Sequence, residues 1–470
     1  MFNKLLQYAP VQILSALSVF LLIALQAKFL TLEKYGVLAV FMLITEVSRS
    51  FSVQWVNSSM LRLYPSQSPE YKLEYLTAGI VMSASLFIPA MVLIALGIFY
   101  YELLSLSTLL ILSLFLLSKS VYLFFLDVAR LNNQVTLYRV SSAVQSVSAV
   151  TATFFLLKFD ASLVNAFFGL IVSYFLVVPL LLKDIKVKWP INKTAVNAIV
   201  KYGLPLMMSG VLANLASRVD RLFVADNAGL AGAGVYAGIS NILMGVMALV
   251  FMVVAMPLYP ELTKAIGEKG KLAELHKKYF NMLLLISAPA LLGMCVLAEP
   301  LIMLFLTPSY LDYGVEVFYI LAASVFLLNL RGHYIDHGLQ FTLSTKFMPI
   351  IVGASLLVNL AVLIFLIDPY GLYGAAWASL VTSVFSLVLS FLIATKKGYK
   401  YSVDKNMFKT LGACCVMFSG LLVVKQQLVS ADVTVQLAVL VLFGVFSYTL
   451  SHWCLNTMNV RSLLVRNVGL

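Results

Sequence analysis

The chain is short of charge. Of its 470 residues only 11% are Asp, Glu, Lys or Arg, whereas 61% are hydrophobic and the mean hydropathy is +0.97. A soluble domain carries about 25% charged residues and about half apolar ones. Too little polar surface is left here to wrap a water-soluble core, which excludes a soluble enzyme. Cysteine is scarce as well. Cys295, Cys414, Cys415 and Cys454 all fall in apolar runs, none with metal-ligand spacing. Adjacent Cys414 and Cys415 are badly placed to bridge, so all four read as small hydrophobes. No Walker A pattern occurs anywhere, so ATP is not hydrolysed by this chain. The alternation of an outer-membrane barrel is missing too. No metal site and no cofactor is expected.

What the chain has is one apolar run after another, each about 18–25 residues long, which matches a hydrocarbon core of about 30 Å at 1.5 Å per residue. Lipid satisfies no free backbone polar group, so the runs must be helices. The fold class is an all-α integral membrane protein. Fourteen spans are predicted, at about 10–30, 35–59, 75–99, 103–128, 136–157, 161–182, 200–224, 231–257, 279–300, 314–339, 347–367, 372–395, 407–424 and 433–456.

The formal charge of +12 would point a soluble chain toward nucleic acid. Here the basic residues stand in short segments between spans, and they read as a topology signal instead; no nucleic acid partner is expected. With the N-terminus in the cytoplasm, 23 of the 32 Lys and Arg fall inside and 4 outside. The inside set includes Lys4, the 183–201 and 258–278 connections, and Arg461 and Arg466 in the tail. That asymmetry places both termini in the cytoplasm. The first apolar stretch is long for a signal peptide and lacks a small-x-small cleavage site, so it reads as a retained span.

The chain also repeats. Span one runs out through AKFLTLEKYGVLAVF and span seven through DRLFVADNAGLAGAGVYAGI; span four ends in FFLDVARLNNQVT and span ten in HYIDHGLQFTLST, with Asp127 and Asp336 in matching places. Repeats six spans apart keep the same orientation, so their pseudo-twofold axis runs along the membrane normal. The expected organisation is a six-helix lobe at 1–183, a cytoplasmic linker at 184–200, a second six-helix lobe at 201–395, and two appended spans with a tail at 396–470.

Three stretches carry a family likeness. The first is Lys201–Val224, KYGLPLMMSGVLANLASRVDRLFV, followed by Gly234-Val-Tyr-Ala. The second is Pro257–Leu262, PLYPEL, with a charged connector behind it. The third is Pro369–Leu380, PYGLYGAAWASL, preceded by Asn359 in an apolar helix. In this order and spacing they resemble the polysaccharide-transporter branch of the MOP flippase superfamily, the group of Wzx-type O-antigen flippases. Leu306–Tyr310, LTPSY, departs from the pattern, where a glycine-led turn is more usual. The resemblance implies two MATE-like lobes in a bacterial inner membrane. It implies alternating-access export of an undecaprenyl-pyrophosphate-linked oligosaccharide, for O-antigen lipopolysaccharide or another surface polysaccharide. It also implies membrane lipids, a polysaccharide polymerase and a chain-length regulator as partners.

The intramembrane charges supply candidate site residues, because a charge in hydrocarbon faces a cavity or a partner. Arg49 has Glu46 at i−3. Lys119 lies in the middle of span four. Arg218 and Arg221 share a helix face with Asn214, while Asp220 points elsewhere, and Lys28 closes span one. Such cations suit a pyrophosphate, which Arg can grip through two oxygens. Arg49, Arg218, Arg221, Lys28, Lys119 and Asn214 are assigned to the substrate cavity; Glu46, Asp220, Asp127 and Asp336 to gating or ion coupling. The structural alternatives are ion pairs for Glu46 with Arg49 and Asp127 with Arg130, an interfacial anchor in Arg130, and a snorkelling Lys28. His333 and His337 are spaced for a metal but lack a third strong ligand, and read better as an inner-gate cluster with Arg331. Two other functions compete with this one. A cation-coupled multidrug exporter of the same superfamily should have an acidic cavity. A membrane glycosyltransferase or polymerase should have a large outside loop, and every outside loop here is short.

Overall fold

The computed structural model describes residues 2–183, 185–402 and 404–457. Arg461 and Arg466 of the topology argument lie outside the described residues. Among the described residues there is no strand, and twelve helical runs are long and apolar enough to cross a membrane. Two of these are far longer than one crossing: Lys193–Lys264 has 72 residues and Thr345–Lys396 has 52. Each is broken by a glycine at positive φ, Gly229 at 74° and Gly371 at 52°. An L side chain at either place would clash with its own backbone. In the sequence these glycines fall where spans seven and eight, and eleven and twelve, meet. The outward faces are apolar, with Leu106, Phe365 and Leu442 all exposed, which is what contact with lipid tails requires.

Polar residues stand at the helix starts, where the first N–H groups have no intrahelical acceptor. Ser105 Oγ accepts from the Thr108 amide at 3.1 Å, Ser162 Oγ from Asn165 at 3.3 Å, and Asp432 Oδ1 from Thr434 at 2.8 Å.

The two basic connections are more ordered than their composition suggests. Asn192 Oδ1 accepts from the Thr194 and Ala195 amides at 2.8 and 3.4 Å, so the helix begins at Lys193, well inside the 183–201 segment. The stretch before it is fastened. Lys188 donates from its backbone to Thr77 Oγ1 at 2.8 Å and from Nζ to Glu74 Oε1 at 2.7 Å, and Asn192 donates to the same carboxylate. Hydrogen bonding to Glu74 raises the Lys188 ammonium above its usual pKa. In the 258–278 segment helix continues to Lys264 and resumes at Lys269. Exposed pairs, Lys264 with Glu261 at 2.7 Å and Lys278 with Glu274 at 2.6 Å, make it a solvated face, and such pairs contribute only about 0.2–1 kcal/mol each.

Two compact units are present, Met1–Ala237 and Gly238–Leu470. The first has a core that includes Val56, Met60, Phe124 and Ile199. In the second, the helices Lys405–Gln427 and Val433–Leu455 pack on each other and on Lys269–Val296 through Met417, Leu421, Leu440 and Val296.

Candidate functional site

Within the first unit the helix Leu32–Arg49 passes into a π-helical turn, Ser50–Gln54, before Trp55–Leu63 resumes the α-helical path. Ser48 donates to the Ile44 carbonyl at 2.8 Å and Ser52 to the Ser48 carbonyl at 2.6 Å. Such back-bonding competes with the backbone ladder, and single wide turns of this kind are frequent at functional sites.

Glu46, 8% exposed, sits one turn before the wide turn. Its Oε2 accepts from Arg49 Nε at 3.0 Å and lies 3.0 Å from Arg49 Nη2. Its Oε1 takes the ammonium of Lys119, which arrives from the helix Leu106–Leu131 and also lies 5.5 Å from the Phe115 ring centre. Two cations share one anion, so the cluster keeps a net positive charge inside an apolar bundle. Asp127 lies within electrostatic reach of Arg130 and Arg49. Among the described residues no ion pair forms between Asp127 and Arg130.

Asn214 brings a third helix to this place. Its amide donates to Ser50 Oγ at 2.6 Å and to the Gly210 carbonyl at 3.2 Å, while Ser50 donates to Gln54 Oε1 at 2.7 Å. Lys193–Arg218 is thereby docked on the residue after Arg49. Its last residue, Arg218, is half-buried, and among the described residues no ion pair reaches it. Arg221 is 3% exposed and within electrostatic reach of Arg218, Asp220, Tyr35 and Tyr236. Asp220 accepts from the Arg221 amide at 3.0 Å and from Tyr236 Oη at 2.5 Å. Lys28 is exposed at the end of Phe2–Phe29.

Nine of the ten sequence-derived site residues therefore lie in the first unit. Glu46, Arg49, Lys119 and Asn214 are gathered there, with Asp127 alongside, and Arg218, Asp220 and Arg221 form a neighbouring group on the same docked segment. The tenth, Asp336, belongs to the second unit. It accepts from Ser390 Oγ at 2.5 Å and pairs with Arg331 at 3.5 Å, at the end of a second π-helical turn, Arg331–Ile335.

His333 and His337 part company: the first lies against Phe251, at 5.5 Å between ring centres, and the second against Tyr259 at 4.8 Å. The aromatic cage around His337 went unread in the sequence. His276, 2% exposed, shares a 2.6 Å hydrogen bond with Tyr399 Oη, stacks on Tyr334 at 4.4 Å and lies 5.6 Å from His337. Tyr401 donates to the Ile335 carbonyl at 2.6 Å. The only sequence signal was two tyrosines in an otherwise basic segment. Among the described residues no three His, Cys, Asp or Glu are grouped to hold a metal ion.

Comparison with known proteins bears on this geometry. Residues 25–314 match the family described as polysaccharide biosynthesis protein. No curated protein matches the chain in sequence. In structure the chain is similar to the lipid II flippase MurJ in an inward closed conformation, with a TM-score of 0.74 at 16% identity over 98% of this chain and 99% of that one. It is also similar to a multidrug resistance MATE family transporter of the MOP superfamily, inward-facing, with a TM-score of 0.66 at 14% identity over 81% and 94%. A third likeness is to the MATE multidrug transporter DinF-BH, with a TM-score of 0.57 at 15% identity over 83% and 95%.

Proposed function

Since the chain belongs to the polysaccharide biosynthesis protein family and shares the MurJ and MATE fold, we propose that it flips an undecaprenyl-pyrophosphate-linked oligosaccharide across the bacterial inner membrane. It is a multi-pass membrane protein of that family, and in this reading it acts as a transporter rather than an enzyme. The substrate, the membrane and the surface polysaccharide it serves, O-antigen or another, are the proposal.

One observation carries it: Glu46 is outnumbered by Arg49 and Lys119. A buried cation beyond what its partner neutralises is costly in hydrocarbon, and a cluster with one to spare is poised for an anion. A pyrophosphate diester brings about two negative charges, which Arg can meet bidentately. In this reading Arg49, Lys119, Asn214, Arg218, Arg221 and Lys28 form the path for the diphosphate, and the polyprenyl tail stays in lipid. Glu46, Asp127, Asp220 and Asp336 tune gating or ion coupling. Lobes at 1–183 and 201–395, joined by the linker at 184–200, alternate access between the two sides. Fourteen crossings follow if each of the two long glycine-broken runs crosses twice, and both termini then lie in the cytoplasm.

The likeness to multidrug transporters favours a second reading, a cation-coupled exporter of small molecules. A cationic drug would meet repulsion at Arg49 and Lys119, which places this reading behind the first. Flux in proteoliposomes decides between them. Movement of a lipid-linked oligosaccharide, without movement of a cationic dye, is the expected result; the reverse would install the exporter.

A further inference from the structure

The helix Phe87–Tyr100 ends in a turn that a glycine normally completes. The Leu103 amide donates to the Ile98 carbonyl at 3.1 Å and the Glu102 amide to the Phe99 carbonyl at 3.0 Å, so Glu102 is the residue that leads the chain out of the helix. Its φ is +56°. That is the left-handed region, where a Cβ crowds the following carbonyl and where glycine or asparagine sits most easily. A glutamate here costs the fold stability. Strain held in a turn points to a use for the side chain that causes it.

The surroundings supply that use. Glu102 lines an open groove of about 700 Å³ with Leu96, Phe99, Tyr100 and Leu104, a volume within the ordinary range of small-ligand sites. Tyr100 is 68% exposed, yet its ring is held. Its hydroxyl donates to Asp226 Oδ2 at 3.2 Å, and the Tyr101 ring meets it edge-on with centres 5.1 Å apart. A second exposed carboxylate is thereby tied to the groove from 126 residues away in sequence. All of these residues belong to the first unit. Predicted spans three and seven, at about 75–99 and 200–224, end beside Tyr100 and Asp226. With the N-terminus in the cytoplasm both spans end on the outer side, and the bond between Tyr100 and Asp226 requires that they share one.

We propose that this groove binds a sugar of the translocated glycan at the outer end of the first unit. The inference rests on the flippase reading above. A pyranose has a face of C–H bonds and a rim of hydroxyls. The face packs on the rings of Tyr100 and Phe99. The hydroxyls donate to Glu102 and Asp226, because an ionised carboxylate only accepts and offers about four lone-pair sites. Asp226 and the Tyr101 edge fix the Tyr100 ring before the sugar arrives, so less freedom is lost on binding. Membrane anchoring accounts for exposed aromatics at the end of a span, but it has no need of a strained carboxylate. An organic cation would also meet rings and carboxylates here. Cations gain most from aromatic faces where water is shut out, and this groove is open, with Phe99 66% exposed, which favours the sugar.

The test exploits the strain. Glu102→Gly removes the carboxylate and relaxes the turn, so it should fold at least as well as the parent and melt higher. The probe is the source strain's surface oligosaccharide, released from its polyprenyl carrier by mild acid and titrated into the purified protein in lipid nanodiscs. Saturation-transfer NMR reads the contact. The parent should bind it, and Glu102→Gly and Tyr100→Leu should each bind about tenfold more weakly, the loss expected when a hydrogen bond to a charged group or its packing partner is removed. Equal binding by all three proteins, or no binding by the parent, would overturn the sugar site; flux of lipid-linked oligosaccharide in proteoliposomes would then still carry the flippase reading. Binding that falls in the variants, with no such flux in the parent, would keep the site and remove the flippase reading. A cationic dye that binds in the oligosaccharide's place, and is lost in Glu102→Gly, would overturn the sugar site in favour of a cation site.

Discussion

Lys119 reaches the carboxylate of Glu46 across 73 residues of chain, and meets there a carboxylate already held by Arg49. The arrangement sets an order among substitutions. Glu46→Ala strands two half-buried cations together and should be the most destabilising of the three, by up to the roughly 3–5 kcal/mol that breaking a fully buried pair costs. Arg49→Ala and Lys119→Ala each leave Glu46 one partner and should cost less. Thermal unfolding in detergent reads this order, and equal midpoints for the three variants would show that the cluster is not cooperative. Export by Arg49→Ala should fall part of the way.

Arg218 and Arg221 separate by burial. Arg218 is half-buried, whereas Arg221 is 3% exposed. Arg218→Ala should cripple export while membrane abundance and melting temperature hold. Arg221→Ala should lose export and stability together, since it empties a buried site beside Asp220 and Tyr236. The lysine replacements should be milder, because a charge remains without the bidentate grip. Normal export by the double alanine variant would take both residues out of the path.

Asn214 tests the docking of the third helix. Asn214→Leu removes donors to Ser50 and Gly210 and buries Ser50 against an apolar group, a loss of about 1–3 kcal/mol. Ser50→Ala should cost less, because the Asn214 amide keeps its bond to Gly210. Chemical denaturation compares them; a larger effect from Ser50→Ala would place the weight of the wide turn on Gln54 instead.

Drive is the fourth expectation. Moving about two negative charges outward across an inside-negative membrane releases roughly 2.3 kcal/mol per charge per 100 mV. Collapsing the potential with valinomycin and potassium should therefore slow flipping in proteoliposomes that have no pH or sodium gradient. Flux that survives collapse and responds only to a proton or sodium gradient would assign the drive to ion antiport.

Residues differ in how openly the sequence declared them. Spans are legible because hydrocarbon forces a long apolar run on any helix that crosses it. Glu46 with Arg49 is legible because three residues of helix bring them to one face. Lys119 was visible as a charge, but its partner is set by packing between distant helices, as is the bond from Asn214 to Ser50, 164 residues away. His276 and Tyr399 are 123 residues apart, and no periodicity joins a helix start to a connector. The wide turns at Ser50–Gln54 and Arg331–Ile335 were hidden too, since one extra residue per turn barely disturbs an apolar pattern. The order of the 183–201 connection, which Asn192 and the Glu74 carboxylate supply, rests on contacts more than a hundred residues apart in sequence and left no local signal.

The fastening of Lys188 and Asn192 to Glu74 has a mechanical consequence. A tether tied at both of those residues has almost no slack before the helix that starts at Lys193. Rotation of that helix is geared to the start of Pro69–Ser85 as a crank is to its shaft. Extra length inserted ahead of Asn192 would be absorbed as idle rope, because Asn192 stays tied to Glu74, whereas the same length inserted between Asn192 and Lys193 would let the crank turn without moving the shaft.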